Sequence, residues 1–153
     1  AVAQSNPGRG WIMVRAKYLT PEHIIQALEA GEFYSSSGVT LRRIQRQGSI
    51  LRIEVAPDPG ATYRTRFIGT RKGFNPDNEP VRTAGGDALR VTHRYSDDVG
   101  MTFAEVEGTT AEYTLKGDEL YVRAKIISSR PMPNPPTVGE TEAAWTQPIL
   151  PAP

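Results

Sequence analysis

One strand–helix unit stands at the head of this chain, and only strand patterns follow it. Residues 11–38 read WIMVRAKYLTPEHIIQALEAGEFYSSSG. The mostly apolar run 11–16 suits a strand covered on both faces. Thr20 is placed to cap a helix, Pro21 suits its first position, and Glu22 favours the positive end of its dipole. Ile24, Ile25, Ala27 and Leu28 form an apolar stripe on it. Gly31 is the expected stop, because it adopts the left-handed conformation that ends helices. The run Ser35-Ser36-Ser37 reads as a turn of small residues. A lone unit of this kind cannot bury both of its elements, so it normally belongs to a larger layered α/β body. No second unit appears. The chain therefore reads as the end of a larger protein, or as a β domain carrying one α/β remnant.

From residue 39 the periodicity changes to two. Val39 and Leu41 followed by Ile44 make an alternation with a one-residue slip, the mark of a β-bulge. Further strands are expected at 50–55, 63–68, 89–95, 101–106, 111–115 and 120–129. Pro57-Asp58-Pro59-Gly60 is a turn, and Lys116-Gly117-Asp118 is expected to close a hairpin. Residues 70–88 read as a long polar loop. Four prolines in 130–139 exclude helix and strand there. The expected class is mostly β, an antiparallel sandwich of about seven or eight strands with one N-terminal strand–helix unit. The expected core is Leu41, Ile44, Leu51, Ile53, Val55, Phe67, Leu89, Val91, Met101, Phe103, Val106, Tyr113, Leu115, Tyr121, Val122 and Ile126. Two segments are expected: 1–38, a loop plus the βα unit, and 39–153, the sandwich with its Pro-rich tail.

Composition removes several chemistries. The 153 residues contain no Cys, so disulfides, thiolate metal sites and cysteine nucleophiles are absent. A net charge of +1 provides no field to hold nucleic acid or an anionic membrane. No apolar run approaches the roughly 20 residues of a membrane span. The first ten residues lack the apolar segment of a signal peptide. The chain begins at Ala rather than Met, which suggests processing or excision from a longer product. None of this fixes a compartment.

The candidate sites are few. His23 lies on the helix beside Glu22, but position 27, where a second helical ligand belongs, is Ala. His93 followed by Asp97 and Asp98 is a weak metal constellation, and the two aspartates also suit a turn before Gly100. Ser36 and Ser37 lack the G-x-S-x-G context of an activated serine, and their hydroxyls suit backbone groups. Gly85-Gly86 precedes no helix that would hold a phosphate. The arginines at 42, 43, 46, 64, 66 and 71 with Lys72 read as a solvated face offset by carboxylates elsewhere. The aromatic residues offer a rival reading, a saccharide site, since sugar rings stack on exposed aromatics, although two Trp in a chain of this size are more often packed. Phe74 in the long loop and Trp145 in the tail are the leading positions, with Trp11, Tyr34, Ser36 and Ser37 as further ligand or interface candidates.

Three stretches together resemble a family. They are Pro7-Gly8-Arg9-Gly10-Trp11 leading into MVRA and LTPEHIIQALEAGEFYSSSGV, then Gly117-Asp118-Glu119-Leu120-Tyr121-Val122-Arg123-Ala124 with Ser128-Ser129-Arg130-Pro131, and Ala144-Trp145-Thr146-Gln147-Pro148-Ile149. In order and spacing they are similar to the region after the metal-binding barrel of PHP-type metal-dependent phosphoesterases, most closely the CehA-like branch. The resemblance implies a parent barrel whose His, Asp and Glu clusters hold divalent ions (Zn, Mn or Fe) that activate water. Those clusters would precede Ala1, so no catalytic residue is carried over. The expected function is a non-catalytic C-terminal accessory domain, with the upstream barrel or a second copy of the chain as its partner. A stand-alone carbohydrate-binding module and an oligomerisation module are the alternatives.

Overall fold

The computed structural model describes residues 7–151, leaving out the side chains of 89–91. The elements, in order, are β1 (Trp11–Val14), α1 (Pro21–Glu29), β2 (Phe33–Ser36), β3 (Leu41–Gln47), β4 (Ile50–Val55), β5 (Tyr63–Arg71), β6 (Asn78–Arg82), β7 (Ala88–Tyr95), β8 (Met101–Glu107), β9 (Thr110–Thr114), β10 (Glu119–Pro131) and β11 (Thr141–Thr146). The described residues are mostly β: eleven antiparallel strands in three sheets, with one short helix after β1. A six-stranded sheet ordered β1-β2-β11-β10-β5-β8 faces a three-stranded sheet, β3-β4-β9. The strands β6 and β7 form a separate ribbon.

Alternation builds the core between the two large sheets. Leu51, Ile53 and Val55 on β4 and Ala111 and Tyr113 on β9 meet Phe67 on β5, Val122, Ala124 and Ile126 on β10, and Ala144 on β11. Tyr113 carries the contact across the interface. Its ring stacks between Phe67 and Phe103, with centroids 5.4 and 5.9 Å away, and the Arg71 guanidinium lies 4.4 Å above the Phe103 ring. Such aromatic contacts add to the stabilisation from buried area alone.

Local signals placed several features correctly. Thr20 Oγ1 caps α1 by accepting from His23 N. At the other end Gly31 N donates to Leu28 O and Glu32 N to Ala27 O, the paired bonds of a left-handed helix stop, with Gly31 at φ 72°. The register of β3 on β4 slips between Leu41 and Arg43, where the alternation skipped a residue. Ala61 N donates to Asp58 O across Pro59 and Gly60, with Gly60 at φ 77°. This is a turn that needs proline first and positive φ second.

Other expectations are corrected. The described residues form eleven strands, because β2, β6 and β11 form where the sequence reads as turn, loop and tail. Strand β1 is not covered on both faces. It forms the sheet edge, leaving Trp11, Ile12 and Met13 exposed. Lys116-Gly117-Asp118 closes no hairpin, since β9 pairs with β4 and β10 with β5 and β11, so the turn carries the chain from one sheet to the other. Strand β10 continues to Pro131, which pairs with Thr141 past a register shift. Met101 is exposed because β8 is the opposite edge. Tyr121 is only half-buried, because its neighbour Val122 takes the inward position. The expected core positions Leu89 and Val91 lie outside the described side chains. In the large sheet β1 pairs with β2 and β2 with β11, with Ser36 opposite Ala144 and Ser35 opposite Trp145.

Candidate functional site

The outer face of the six-stranded sheet carries a row that alternation and register make inevitable. Ile12 lies opposite Ser35, Ser35 opposite Trp145, Trp145 opposite Lys125, Lys125 opposite Arg66, and Arg66 opposite Glu105. Directly opposed residues share a sheet face, so these six side chains run in one line across the molecule. The Lys125 ammonium lies 5.5 Å from the centroid of the Trp145 ring. At the β8 end the charges are paired. Arg66 Nε donates to Glu105 Oε2 at 2.5 Å, and Arg64 to Glu105 Oε1 at 3.4 Å. The Arg66 hydrogen bond is the main reason the Glu105 carboxyl is held below its ordinary value.

At the β1 end the row opens into a groove of about 650 Å³. Its walls include Trp145, Lys125, Ser35, Glu140 and Thr141, together with Trp11, which opposes Ser36 and so stands on the other face of β1 from Ile12, lining the groove at the sheet edge. The proline-rich segment after β10 closes one side through Met132, Pro136 and Gly139. A second recess of about 530 Å³ lies where Tyr63, Glu107 and Ser128 come together at the end of β5.

The structure brings four of the expected ligand residues together: Trp11, Ser36, Ser37 and Trp145 line the same groove, although the two serine hydroxyls are engaged with backbone. Phe74 and Tyr34 have different surroundings. Phe74 is half-buried in the loop after β5 and does not line the groove. Tyr34 is buried, and its hydroxyl accepts from Leu41 N at 2.9 Å. Ser36 Oγ donates to Val39 O at 2.7 Å and accepts from Gly38 N at 3.0 Å. Ser37 Oγ accepts from Ala143 N at 2.9 Å, tying the end of β2 to β11. These hydroxyls serve the backbone, as expected for small polar residues at a turn.

His93 is exposed on β7 opposite Pro80. Asp97 and Asp98 occupy the middle of a turn closed by Val99 N on Ser96 O, and Asp98 Oδ2 accepts from Asn75 N. His23 Nδ1 is 2.9 Å from Thr20 Oγ1, and the ring packs edge-on against Tyr18. Among the described residues, no group of three or more His, Asp or Glu side chains could hold a metal ion. The described residues therefore offer no donor set that matches the ions which the resemblance implies for a parent barrel.

A buried carboxylate that sequence reasoning missed sits at the crossing between sheets. Glu119 is fully buried, and it accepts from Tyr113 Oη at 2.7 Å, Lys116 N at 3.0 Å and Gly117 N at 2.9 Å. Burial acts to raise its carboxyl, but the hydrogen bonds from Lys116, Tyr113 and Gly117 outweigh it and hold the group below its ordinary value. Burial, then the bond to Glu119, pushes the Tyr113 hydroxyl up to about 12. Arg71 pairs with Asp118 beside this cluster. Every acceptor position of Glu119 is directed at the chain's own groups, so the cluster stabilises a corner.

Lys125 and Glu140 were also missed. Lys125 stands in a run of alternating residues whose outward positions carry no mark of a site. Only the pairing of β10 with β11 sets it beside Trp145.

The chain matches no family model, no curated protein and no solved structure.

Proposed function

We propose that this chain is a non-catalytic accessory β-sandwich domain of a PHP-type metal-dependent hydrolase, docked on the parent barrel through its β1–α1 edge. The observation that carries the reading is the apolar surface of that edge. Leu19 is 94 % exposed, Ile25 54 %, and Trp11 and Ile12 46 % each. An apolar surface of this kind marks an interaction site. An edge strand without charges also invites pairing with another chain, and WIMV carries none. The resemblance supplies the partner: a barrel that would continue the α/β layering which this strand and helix begin. Substrate cleavage would belong to the barrel, and this domain would supply stability, access or subunit contact.

Sedimentation velocity of the chain mixed with a CehA-like barrel tests the reading. A 1:1 complex is expected, weakened at least tenfold by Ile12→Asp, since burying an unpaired charge in an apolar contact costs several kcal/mol. Self-association of the chain with no response to the barrel would favour an oligomerisation module instead.

A second reading, binding of a saccharide, is supported by one specific observation: Trp11 and Trp145 wall one groove together with hydroxyl and charged groups. Indole faces offer apolar stacking area, and the polar groups suit hydroxyl-rich ligands. The two readings share one residue, Trp11, which lines the groove and lies on the docking edge.

A further inference from the structure

The groove holds a cation without a counter-ion. Lys125 is half-buried with its ammonium over Trp145, and it takes part in no ion pair among the described residues, all of whose ion pairs use arginines. Arg66, its neighbour in the row, and Arg64 two residues away on β5 are engaged with Glu105. Glu140 shares the groove but does not reach ion-pair distance of Lys125. A partly desolvated ammonium beside an indole face is prepared for a ligand with a flat apolar ring surface and an anionic substituent on the same unit.

We propose that the groove binds an acidic polysaccharide, a chain of uronic-acid units. One ring stacks on Trp145 with its carboxylate at the Lys125 ammonium, and the chain extends towards Trp11. This rests on the saccharide reading above and narrows it to a charged class. Three observations select the class. The two tryptophans stand on β11 and β1, which flank β2, so their backbones are two strand spacings apart, roughly 10 Å. A ligand touching both must be longer than a single ring. Ser35, Thr141 and Glu140 between them provide donors and acceptors for ring hydroxyls. The protein's net charge of +1 argues against a general polyanion site, which would need a broad basic field.

The test is a tryptophan-fluorescence titration of the full chain with three probes: an oligogalacturonate, a neutral oligogalactose of equal length, and a single-stranded oligothymidylate. The proposal expects saturable binding of the oligogalacturonate that weakens as salt is raised. The neutral oligomer should bind about tenfold more weakly, in line with the loss of one charge-assisted contact. Lys125→Gln, which keeps most of the stem, should abolish that preference while leaving the melting temperature unchanged. Trp145→Leu should weaken both oligomers. Equal binding of the two sugars by the wild-type chain would overturn the acidic assignment and leave the saccharide reading standing. Binding of neither would overturn both. Oligothymidylate binding as tight as that of the oligogalacturonate would overturn the proposal in favour of a site that reads charge alone.

Discussion

Glu119 enters the interior as a charged group and is accepted there because three donors converge on it from Tyr113, Lys116 and Gly117. Its depressed value means that its contribution to stability is complete above the ordinary 4.5 and is lost as pH falls through the folded-state value. Tyr113 has the opposite sign. Its contribution is complete below the ordinary 10.0 and is lost as pH rises towards about 12. Urea denaturation across pH should therefore show a plateau between these limits. Glu119→Gln should lower stability by about 1–3 kcal/mol at pH 7, because an amide directs donors at donors. It should also flatten the acid limb. None of this was legible in the sequence, where Lys116-Gly117-Asp118-Glu119 looks like a polar hairpin turn. What converts it into a corner is the distant choice of partner, β9 with β4 and β10 with β5. Thr65 shows the same blindness. It is buried opposite Ile126 with its hydroxyl making no hydrogen bond among the described residues.

Elements with their own strong local code were read well, and elements that depend on neighbours were not. The helix declared itself through Thr20, Pro21 and Gly31, and β4 through Leu51, Ile53 and Val55. By contrast β2 is Phe-Tyr-Ser-Ser, half of it poor strand formers, and it exists because β1 and β11 pair with it on both sides. The strand β11 contains two alanines and lies behind a run of prolines, so its inward Ala144 gave no signal. The ribbon of β6 and β7 carries Pro80, which discouraged a strand reading. In β5 the packing demand falls on one glycine. A Cβ on Gly69 would overlap Tyr121 O and Phe103 Cε2, leaving no room between β10 and the aromatic column. Gly69→Ala should destabilise the fold by about 1–3 kcal/mol, because the obstruction includes backbone that cannot turn aside. A fall in the urea midpoint with unchanged slope would register it.

At the scale of the whole molecule the sandwich is a scaffold with two unlike margins. The β8 margin is charged and internally paired through Arg64, Arg66 and Glu105, and it resists edge pairing. The β1 margin is apolar and open, with α1 lying beside it half-covered. The candidate site was half legible: Trp11 and Trp145 could be named from the sequence, while their meeting in one groove with Lys125 required knowing that β2 lies between β1 and β11. On the proposed reading the domain holds and positions a barrel, and it is expected to do so through the β1 margin. Hydrogen exchange of the chain alone and with a CehA-like barrel measures this most directly. The account predicts that backbone amides over residues 11–29 slow markedly when the barrel is added, while those of β8 do not change. Identical exchange over residues 11–29 with and without the barrel would contradict it.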